Sequence, residues 1–369
     1  MTKKPCKHTP GLRIGSICTG YNAAWVAIEK LGLADSFTET FACDIDPKVR
    51  AILKHNFPAL DSDSIFSDIT QVAPSSLPKH DFLTAGFPCQ TFSSAGLGAG
   101  EADKSRGSIA MHIVKHLSYH KPRGFLLENV SGLVKRHNKT FNKIVRLLRS
   151  IKTDNGDRAY KVMWALLNSQ NHGLPQNRER VFIVGLRTDA LIHEFCWPAP
   201  VPVKRRMKLN DILDKGVKPK LPSSKTALRN ILTMMKRIKD KGGCVGEEPV
   251  GDISASKTFG AHLSYGVSPC LTRSRCATSG YFLFSHKRMM LTSEMFRLQG
   301  VPADRIKCPD KQIGGVTVTE HQLAAMIGNA FDVNLVARLF ARIFYSIGAV
   351  PNIIDSWGTG GITAEDNDD

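Results

Sequence analysis

Residues 81–90 read Asp-Phe-Leu-Thr-Ala-Gly-Phe-Pro-Cys-Gln, an apolar run followed by a turn that contains a cysteine. Its apolar run, Phe82 to Ala85, is typical of a short buried strand, which Gly86 and Pro88 then end. A Cys directly after such a strand, here Cys89, lies in the crevice at the carboxyl edge of an open sheet, where a thiolate can act as a nucleophile. A Cys in a turn is usually structural or incidental, so the interpretation depends on its neighbours at that edge.

Short apolar runs and amphipathic stretches alternate on both sides of this strand. In chain order they are 12–18, 22–31, 40–44, 47–55, 82–85, 109–116, 124–128 and 141–151. Two later runs, 161–168 and 180–186, are predicted strands on either side of a turn at residues 173–175. This rhythm indicates an α/β fold with a doubly wound sheet of about seven strands.

Two more groups of polar residues lie beside predicted strands. Glu128 and Asn129 close the apolar run that begins at Gly124, and Gln176-Asn-Arg178-Glu-Arg180 precedes the run 181–185. Alone, Glu128 would be a salt bridge at the sheet edge, and Arg178 and Arg180 a solvated charge cluster. Three such features in this order, each next to a strand, indicate a site.

The charge balance favours a polyanionic partner. The chain has 369 residues, 50 Lys and Arg against 33 Asp and Glu, and a net charge of +17. This excess favours nucleic acid, although a merely basic surface is the alternative.

The cysteines and the apolar runs limit the protein class. Nine cysteines without a C-x-x-C pair indicate neither a disulfide framework nor a zinc ribbon, so a reducing compartment is expected. The uncharged apolar runs are far shorter than the ~20 residues of a membrane helix, and we expect no membrane association.

The periodic pattern breaks between residues 196 and 285. Residues 201–241 hold 13 Lys or Arg against 3 Asp, and the prolines that interrupt the pattern are Pro198, Pro200, Pro202, Pro219 and Pro222. We predict an inserted, basic, partly irregular module here. Helical pattern returns at 292–300 and from 321 to 347, and an acidic tail from about residue 360, most acidic at 365–369, is predicted to be disordered.

Five short motifs occur in a fixed order along the chain. They are Gly86-Phe-Pro-Cys89-Gln, Glu128-Asn-Val130, Gln176-Asn-Arg178-Glu-Arg180, Glu294-x-x-Arg297-Leu-Gln-Gly300-Val-Pro302 and Gly328-Asn329-Ala330. Each string alone is a weak signal. Together, at this spacing, they resemble the cytosine-C5 DNA methyltransferases that depend on S-adenosylmethionine, over about 11–195 and 286–345.

The resemblance implies the domain organisation. It implies a class I methyltransferase fold, Rossmann-like with a mixed sheet: a catalytic domain (1–195), a smaller inserted target-recognition domain (196–285), and a segment that returns to the catalytic domain (286–369). It further implies double-stranded DNA as partner, no metal, a monomer, and location in the nucleus of a eukaryote or the cytoplasm and nucleoid of a bacterium. The target sequence and any accessory protein stay open.

Two other functions are compatible with the same motifs. The tRNA-methylating branch of the family tends to carry Pro where Phe87 stands, which favours DNA here. A catalytically silent, DNA-binding regulator would explain an atypical cofactor turn, but would not need Cys89, Glu128 and Arg180.

The resemblance assigns chemistry to the catalytic motifs. Cys89 would add to C6 of a flipped-out cytosine, so that C5 becomes nucleophilic. Glu128 would bind N3 and the exocyclic amine, Arg180 would hold the O2 edge, and Arg178, the weaker candidate, would support the loop. The segment 91–107 resembles the family's lid over the base, and the predicted DNA contacts near it are Gln90, Ser93 and Arg106.

The predicted cofactor turn matches the first motif of the family only in part. Gly20 is retained, but Cys18 replaces the usual aromatic residue, Ser16 the usual acid, and Asn22 and Ala23 the usual glycines. We expect Cys18, Gly20 and Asn22 to contact the cofactor, S-adenosylmethionine.

Further cofactor contacts are expected at neighbouring strand ends. Asp44 would accept from the ribose hydroxyls, Ile45 would pack on the adenine, and Asp68, with Ile69, would bind the adenine edge. For Asp68, and for the nearby Asp46, helix capping is the alternative. The remaining predicted contacts come from the other motifs and are Gly86, Pro88 and Asn329.

The inserted module carries the remaining predicted DNA contacts. Lys204, Arg205 and Arg206 lie in its basic part and would bind phosphates without reading sequence. The stretch 268–275 resembles the base-reading end of the module, where Arg273 or Arg275 could read guanine. A solvated basic loop explains the same residues.

Overall fold

The computed structural model describes residues 11–88, 107–243, 246–255 and 262–363. The predicted site residues Cys89, Gln90, Ser93 and Arg106 lie outside these residues, and so do 91–106 of the predicted lid and the acidic stretch 365–369.

Seven strands form the central sheet. They are β1 (Arg13–Ile17), β2 (Thr38–Cys43), β3 (Ile65–Phe66), β4 (Phe82–Gly86), β5 (Gly124–Val130), β6 (Tyr160–Asn168) and β7 (Glu179–Arg187). Their order is β3-β2-β1-β4-β5-β7-β6, and β7 runs antiparallel to both of its neighbours. The order reverses between β1 and β4, so a crevice opens at the carboxyl ends of these two strands. The doubly wound mixed sheet is confirmed.

Helices cover both faces of this sheet. The first five are α1 (Ala23–Lys30), α2 (Pro47–Asn56), α3 (Gly107–His120), α4 (Gly132–Lys135) and α5 (Asn138–Arg149). Successive residues of a strand point to opposite faces. In β4, Phe82 accordingly belongs to the apolar core that contains α1 and α2, whereas Leu83 belongs to the core that contains α3 and α5. A strand buried on both faces has the continuous apolar pattern seen at residues 82–85.

The inserted module is more regular than its sequence suggested. After β8 (Cys196–Pro198) it contains the helix α6 (Lys225–Asp240). A small sheet follows, formed by β9 (Pro249–Asp252), β10 (Leu263–Tyr265), β11 (Tyr281–Leu283) and β12 (Arg288–Met289), and the short helix α7 (Arg273–Ala277) lies between β10 and β11 in the chain. The prediction of a partly irregular region missed α6, whose 16 residues bury Ala227, Ile231, Met234 and Ile238 at helical spacing.

The module's predicted end is not tested by this arrangement. The domain boundaries 1–195, 196–285 and 286–369 stay a prediction, while β12 of the small sheet ends at Met289.

The C-terminal segment packs on the catalytic sheet through α8 (Thr292–Leu298), α9 (Glu320–Asn329) and α10 (Val333–Ser346). A strap formed by residues 351–363 then crosses α10 and ends in β13 (Gly361–Thr363), which pairs with β8. Arg338 of α10 bonds to Asp355 of the strap, and Arg342 donates to the carbonyl of Thr359 at 2.9 Å. Residues 361–363 of the predicted acidic tail therefore belong to a strand, and the stretch 365–369, for which disorder was predicted, lies outside the described residues.

Within the described residues, no single helix is long and apolar enough to span a membrane. The pair α9 and α10, bent by 46° at its break, meets the length and composition criteria only together.

Candidate active site

Glu128 and Arg180 meet at the carboxyl edge of the sheet. In the antiparallel register of β5 and β7, Arg180 is opposite Val130, two residues beyond Glu128. This register brings the side chains of Glu128 and Arg180 together, although they are 52 positions apart in the sequence. Arg180 Nε lies 3.1 Å from Glu128 Oε1, and both side chains are largely buried. Burial raises the pKa of Glu128, against the opposing effect of Arg180 and Arg178. A carboxyl group that keeps its proton above the usual range can donate to a substrate atom.

The same strand end adjoins the crevice. In the parallel register of β4 and β5, Gly86 is the partner of Glu128. Asn129 donates from Nδ2 to the carbonyl of Phe87 at 3.3 Å, and thereby ties β5 to the turn that leads toward Cys89. The position of Cys89 itself lies outside the described residues.

Arg178 has a different environment from Arg180. Its guanidinium is buried, with 1% exposure, and it donates to the carbonyls of Leu271 at 2.9 Å and Ala330 at 2.6 Å. These bonds join the motif turn to the inserted module and to the loop after α9. The role of Arg178 stays a prediction; its bonds to backbone carbonyls are those of the loop-supporting role expected for it.

Cys270 is a site residue that the sequence analysis missed. Its Sγ lies 3.6 Å from Arg180 Nη2 and 3.8 Å from Arg178 Nη1. Burial alone would raise the pKa of this thiol, but the two guanidinium groups hold it below its ordinary value. The sequence placed Cys270 inside the predicted base-reading stretch. Its contact with Arg180 could not be predicted, because it depends on how the inserted module packs against the catalytic sheet.

The two arginines predicted to read guanine differ in their contacts. Arg275 Nε bonds to Asp252 Oδ2 at 2.8 Å, so the structure commits this side chain to an ion pair within the module. Arg273 is exposed at the start of α7. A Cβ on Gly328 would lie 2.2 Å from the backbone nitrogen of Arg273, which explains why glycine stands in this motif. Because its side chain is exposed, Arg273 is better placed than Arg275 to contact a base.

A cavity lies at the carboxyl ends of β1 and β4. Four predicted cofactor residues line it, namely Cys18, Gly20, Gly86 and Asn329, and the other lining residues are Ser16, Ile17, Thr19, Ala23, Ala24, Thr84, Ala330 and Phe331. Gly20 has a φ of 59°, which favours glycine. Pro88 is half-buried just beyond Gly86 and is not among the described lining residues.

The acid at the end of β2 organises the turn beside this cavity. Asp44 accepts from the backbone N–H of Gly20 at 2.9 Å and from that of Asp46 at 3.0 Å. Burial raises the pKa of Asp44 against these hydrogen bonds. Ile45, with 69% of its surface exposed, offers an apolar side chain next to that carboxylate. Asp44 and Ile45 therefore stand where a ribose and a purine could be held.

Three other cofactor predictions fit less well. Asn22 does not line the cavity, because its buried side chain bonds to Glu39 instead. Asp68 accepts from the N–H and hydroxyl of Thr70, a local turn contact, and Asp46 caps α2 by accepting from Lys48. Ile69 is 3% exposed and packs in the core. The cofactor contacts predicted for Asn22, Asp68 and Ile69 stay predictions.

The basic cluster of the module lies in a 3-10 turn, Val203–Arg205. Lys204 and Arg205 are exposed, whereas Arg206 donates from Nε to the carbonyl of Val201 at 2.8 Å. Two of the three predicted phosphate contacts are thus held outward. Among the described residues, no group of three or more His, Cys, Asp or Glu side chains is placed to hold a metal ion.

Comparison with known proteins agrees with this geometry. The family model described as C-5 cytosine-specific DNA methylase matches residues 12–345. The type II methyltransferase M.NgoBI of Neisseria gonorrhoeae is 32% identical over 80% of this chain and 84% of its own length. The type II methyltransferase M.HaeII of Haemophilus aegyptius is 32% identical over 81% of this chain and 87% of its own.

Solved structures share the fold. A putative DNA modification methyltransferase encoded within an Escherichia coli prophage has a TM-score of 0.62 at 16% identity, over 91% of this chain and 99% of that one. The Dnmt2 methyltransferase of S. pombe has a TM-score of 0.59 at 16% identity, over 90% and 98%. At this identity the likeness concerns the fold alone.

Proposed function

Because this chain belongs to the family of C-5 cytosine-specific DNA methylases, we propose that it methylates a flipped-out cytosine from S-adenosylmethionine through a covalent adduct of Cys89. Membership makes the protein a DNA cytosine-5 methyltransferase. The methyl donor, the covalent step and the roles of individual residues are the proposed part.

One observation carries the proposal. Glu128 is the register partner of Gly86, which lines the cavity, and its carboxyl group is paired with Arg180 at 3.1 Å. A base held by Glu128 and Arg180 would therefore lie against the cavity in which a methyl donor would be held. The short separation between these two sites is what direct methyl transfer needs.

The residues around the base divide the chemistry. The thiolate of Cys89 adds to C6 of the cytosine, and the electron pair of the C5–C6 double bond becomes available at C5. Glu128, whose pKa burial raises, would donate to N3 in its protonated form and so stabilise the charge that develops on the ring. Arg180 donates to O2 and keeps the plane of the base fixed. After methylation C5 loses its proton to a base, and elimination of Cys89 restores the aromatic ring.

The cavity and the turn beside it fit the proposed donor. Gly20 leaves room at the turn, Asp44 offers a carboxylate for hydroxyl groups, and Ile45 offers an exposed apolar face. When bound, S-adenosylmethionine supplies an electrophilic methyl group on a sulfonium. Gly86 and Asn329 would border it from two other elements.

Methyl transfer from labelled S-adenosylmethionine tests the proposal. Unmethylated duplex DNA, hemimethylated duplex DNA and tRNA are offered in parallel to the full chain. We expect label in 5-methylcytosine of DNA. Label in tRNA alone, or no label in any substrate despite DNA binding, would contradict the proposal and favour the tRNA-methylating or regulatory alternative.

A further inference from the structure

The cofactor turn contains an amide–carboxyl pair that the proposed mechanism does not use. Asn22 stands where the family's first motif has a glycine, and its φ is 71°. This left-handed conformation suits glycine and, among other residues, asparagine best. The turn therefore keeps its backbone path without the glycine, but it gains a side chain that needs a partner.

Glu39 of β2 is that partner. Asn22 Nδ2 lies 3.0 Å from Glu39 Oε1 and 2.9 Å from Oε2. Glu39 is opposite Ile14 in the parallel register of β1 and β2, so the pair connects the turn after β1 to the neighbouring strand. Asn22 is fully buried, and Asn22 Oδ1 has no hydrogen-bond partner among the described residues. A buried amide oxygen without a donor is costly.

The protonation state of Glu39 resolves this orphaned acceptor. Burial raises the pKa of Glu39 to about 8, against the hydrogen bond from Asn22; Glu29 raises it further and Arg305 lowers it. Arg305 is already bonded to both carboxylate oxygens of Glu29, at 2.6 and 2.7 Å. At neutral pH Glu39 is therefore mainly a neutral carboxyl group with an O–H donor.

A neutral carboxyl group and a primary amide can form two hydrogen bonds at once. With a small rotation of the amide, Glu39 O–H donates to Asn22 Oδ1 while Asn22 Nδ2 donates to the other carboxyl oxygen. Both polar atoms of Asn22 are then satisfied. Ionisation of Glu39 removes the donor, leaves Oδ1 unsatisfied and buries a second charge beside Glu29.

We propose that Asn22 and Glu39 form a positioning pair that holds the cofactor turn in place of the family's glycine and is complete only while Glu39 is protonated. Ala23, which follows Asn22, and Gly20, two residues before it, line the cavity, so the pair acts on the ligand through the backbone. This inference rests on the proposed binding of S-adenosylmethionine. It assigns to this chain a pH-dependent cofactor affinity.

Calorimetry of S-adenosylmethionine binding to the full chain without DNA, from pH 6.5 to 9, tests the pair. Asn22→Ala removes both hydrogen bonds and keeps a side chain in a left-handed position, so we expect a Kd about tenfold weaker at pH 7, or ~1.4 kcal/mol. Glu39→Gln can form the same two bonds with Asn22 without a titrating group. We expect its Kd at pH 7 to stay within about twofold of the wild type.

The pH dependence separates a positioning role from a general loss of stability. The wild type should lose affinity between pH 7 and 9 as Glu39 ionises, whereas Glu39→Gln should stay flatter. The stability follows the same sign: with a raised pKa, the contribution of Glu39 is complete below pH 4.5 and lost as the pH rises through about 8. The melting temperature of the wild type should therefore fall toward pH 9 more than that of Glu39→Gln.

Asn230→Ala is the matched control. Asn230 is also a buried asparagine whose Nδ2 makes two bonds, to the carbonyls of Ile253 and Ala255, but it belongs to the inserted module. Its loss should leave the Kd unchanged.

Two outcomes would overturn different claims. A wild type that binds no S-adenosylmethionine would overturn the proposed cofactor. A wild type that binds it, with the same Kd for Asn22→Ala and the same pH slope for Glu39→Gln, would overturn the positioning pair alone.

Discussion

The base site and the cofactor turn lie at one edge of the sheet but are built differently. At the base site, Glu128 and Arg180 match the family's motifs and are joined to the inserted module through Cys270 and Arg178. At the cofactor turn, residues depart from the motif, and a pair particular to this chain, Asn22 with Glu39, supports the backbone. The base site needs particular side chains because they take part in the chemistry. The cofactor turn needs only a particular course of its backbone, which different side chains can support.

This difference predicts that the two regions can be damaged separately. Changes at the base site should lower turnover and leave cofactor affinity intact, whereas changes at the turn should act first on the affinity for S-adenosylmethionine. A base-site variant that loses cofactor binding would break the comparison.

The largest effect is expected from Cys89→Ser. A hydroxyl group is too weakly ionised to replace the thiolate, so methyl transfer should fall by ~10⁴-fold or more while DNA binding and S-adenosylmethionine binding persist. Cys308→Ser is the control, since the Cys308 thiol only bonds to the carbonyl of Val318. Near-normal transfer by Cys89→Ser in a labelled-methyl assay would end the covalent assignment.

Glu128→Gln should follow, with a loss in kcat of about 10²- to 10⁴-fold and little change in cofactor Kd. Because burial raises the pKa of Glu128, its protonated form persists to higher pH, and the wild-type rate should fall as the pH rises through that pKa. Glu179→Gln, on the adjacent strand β7 and paired with Lys135, is the matched control and should keep its rate. Equal losses in both variants would remove Glu128 from the chemistry.

Arg178→Lys should act on stability as well as on rate. One ammonium group cannot reach both the carbonyl of Leu271 and that of Ala330, so urea denaturation should show a loss of about 2–3 kcal/mol in the free energy of unfolding. If Arg178→Lys is as stable as the wild type but its kcat falls strongly, Arg178 takes part in catalysis rather than in positioning.

The smallest effect is expected from neutralising Lys204, Arg205 and Arg206 together. Affinity for all DNA sequences should weaken, and the slope of log K against log salt should fall by about 2–3 units, while kcat at saturating DNA stays the same. Neutralising Lys139, Lys152 and Arg158, which are exposed on the catalytic part, controls for the change in net charge. An unchanged slope in the first variant would place its cluster outside the DNA interface.

The sequence predicted six strands of the catalytic sheet because each of them carries its own apolar run, whereas the two-residue strand β3 was missed. The run 82–85 is continuous and apolar since β4 is buried on both faces, and Gly86 marks its end. The contact between Glu128 and Arg180 depends on the antiparallel pairing of β5 and β7, which the apolar runs do not reveal. Only the family resemblance therefore predicted it.

What the sequence did not reveal depends on long-range packing. Glu39 reads as an ordinary strand residue until β2 pairs with β1 and places it under Asn22. Helix α6 was hidden by the prolines and charges around it; in the structure Ser224 caps its first turn by accepting from the N–H of Ala227. The pairing of Arg338 and Arg342 with Asp355 likewise depends on how the strap crosses α10.

Covalent trapping tests the central claim most directly. The wild type is incubated with S-adenosylmethionine and a duplex that carries 5-fluorocytosine. Fluorine replaces the C5 hydrogen that must leave as a proton, so the adduct cannot be released. The digested complex is then sequenced by mass spectrometry. The account predicts a stable protein–DNA adduct at Cys89. Methyl transfer to ordinary DNA with no adduct on the fluorinated duplex, or an adduct at another residue, would contradict it.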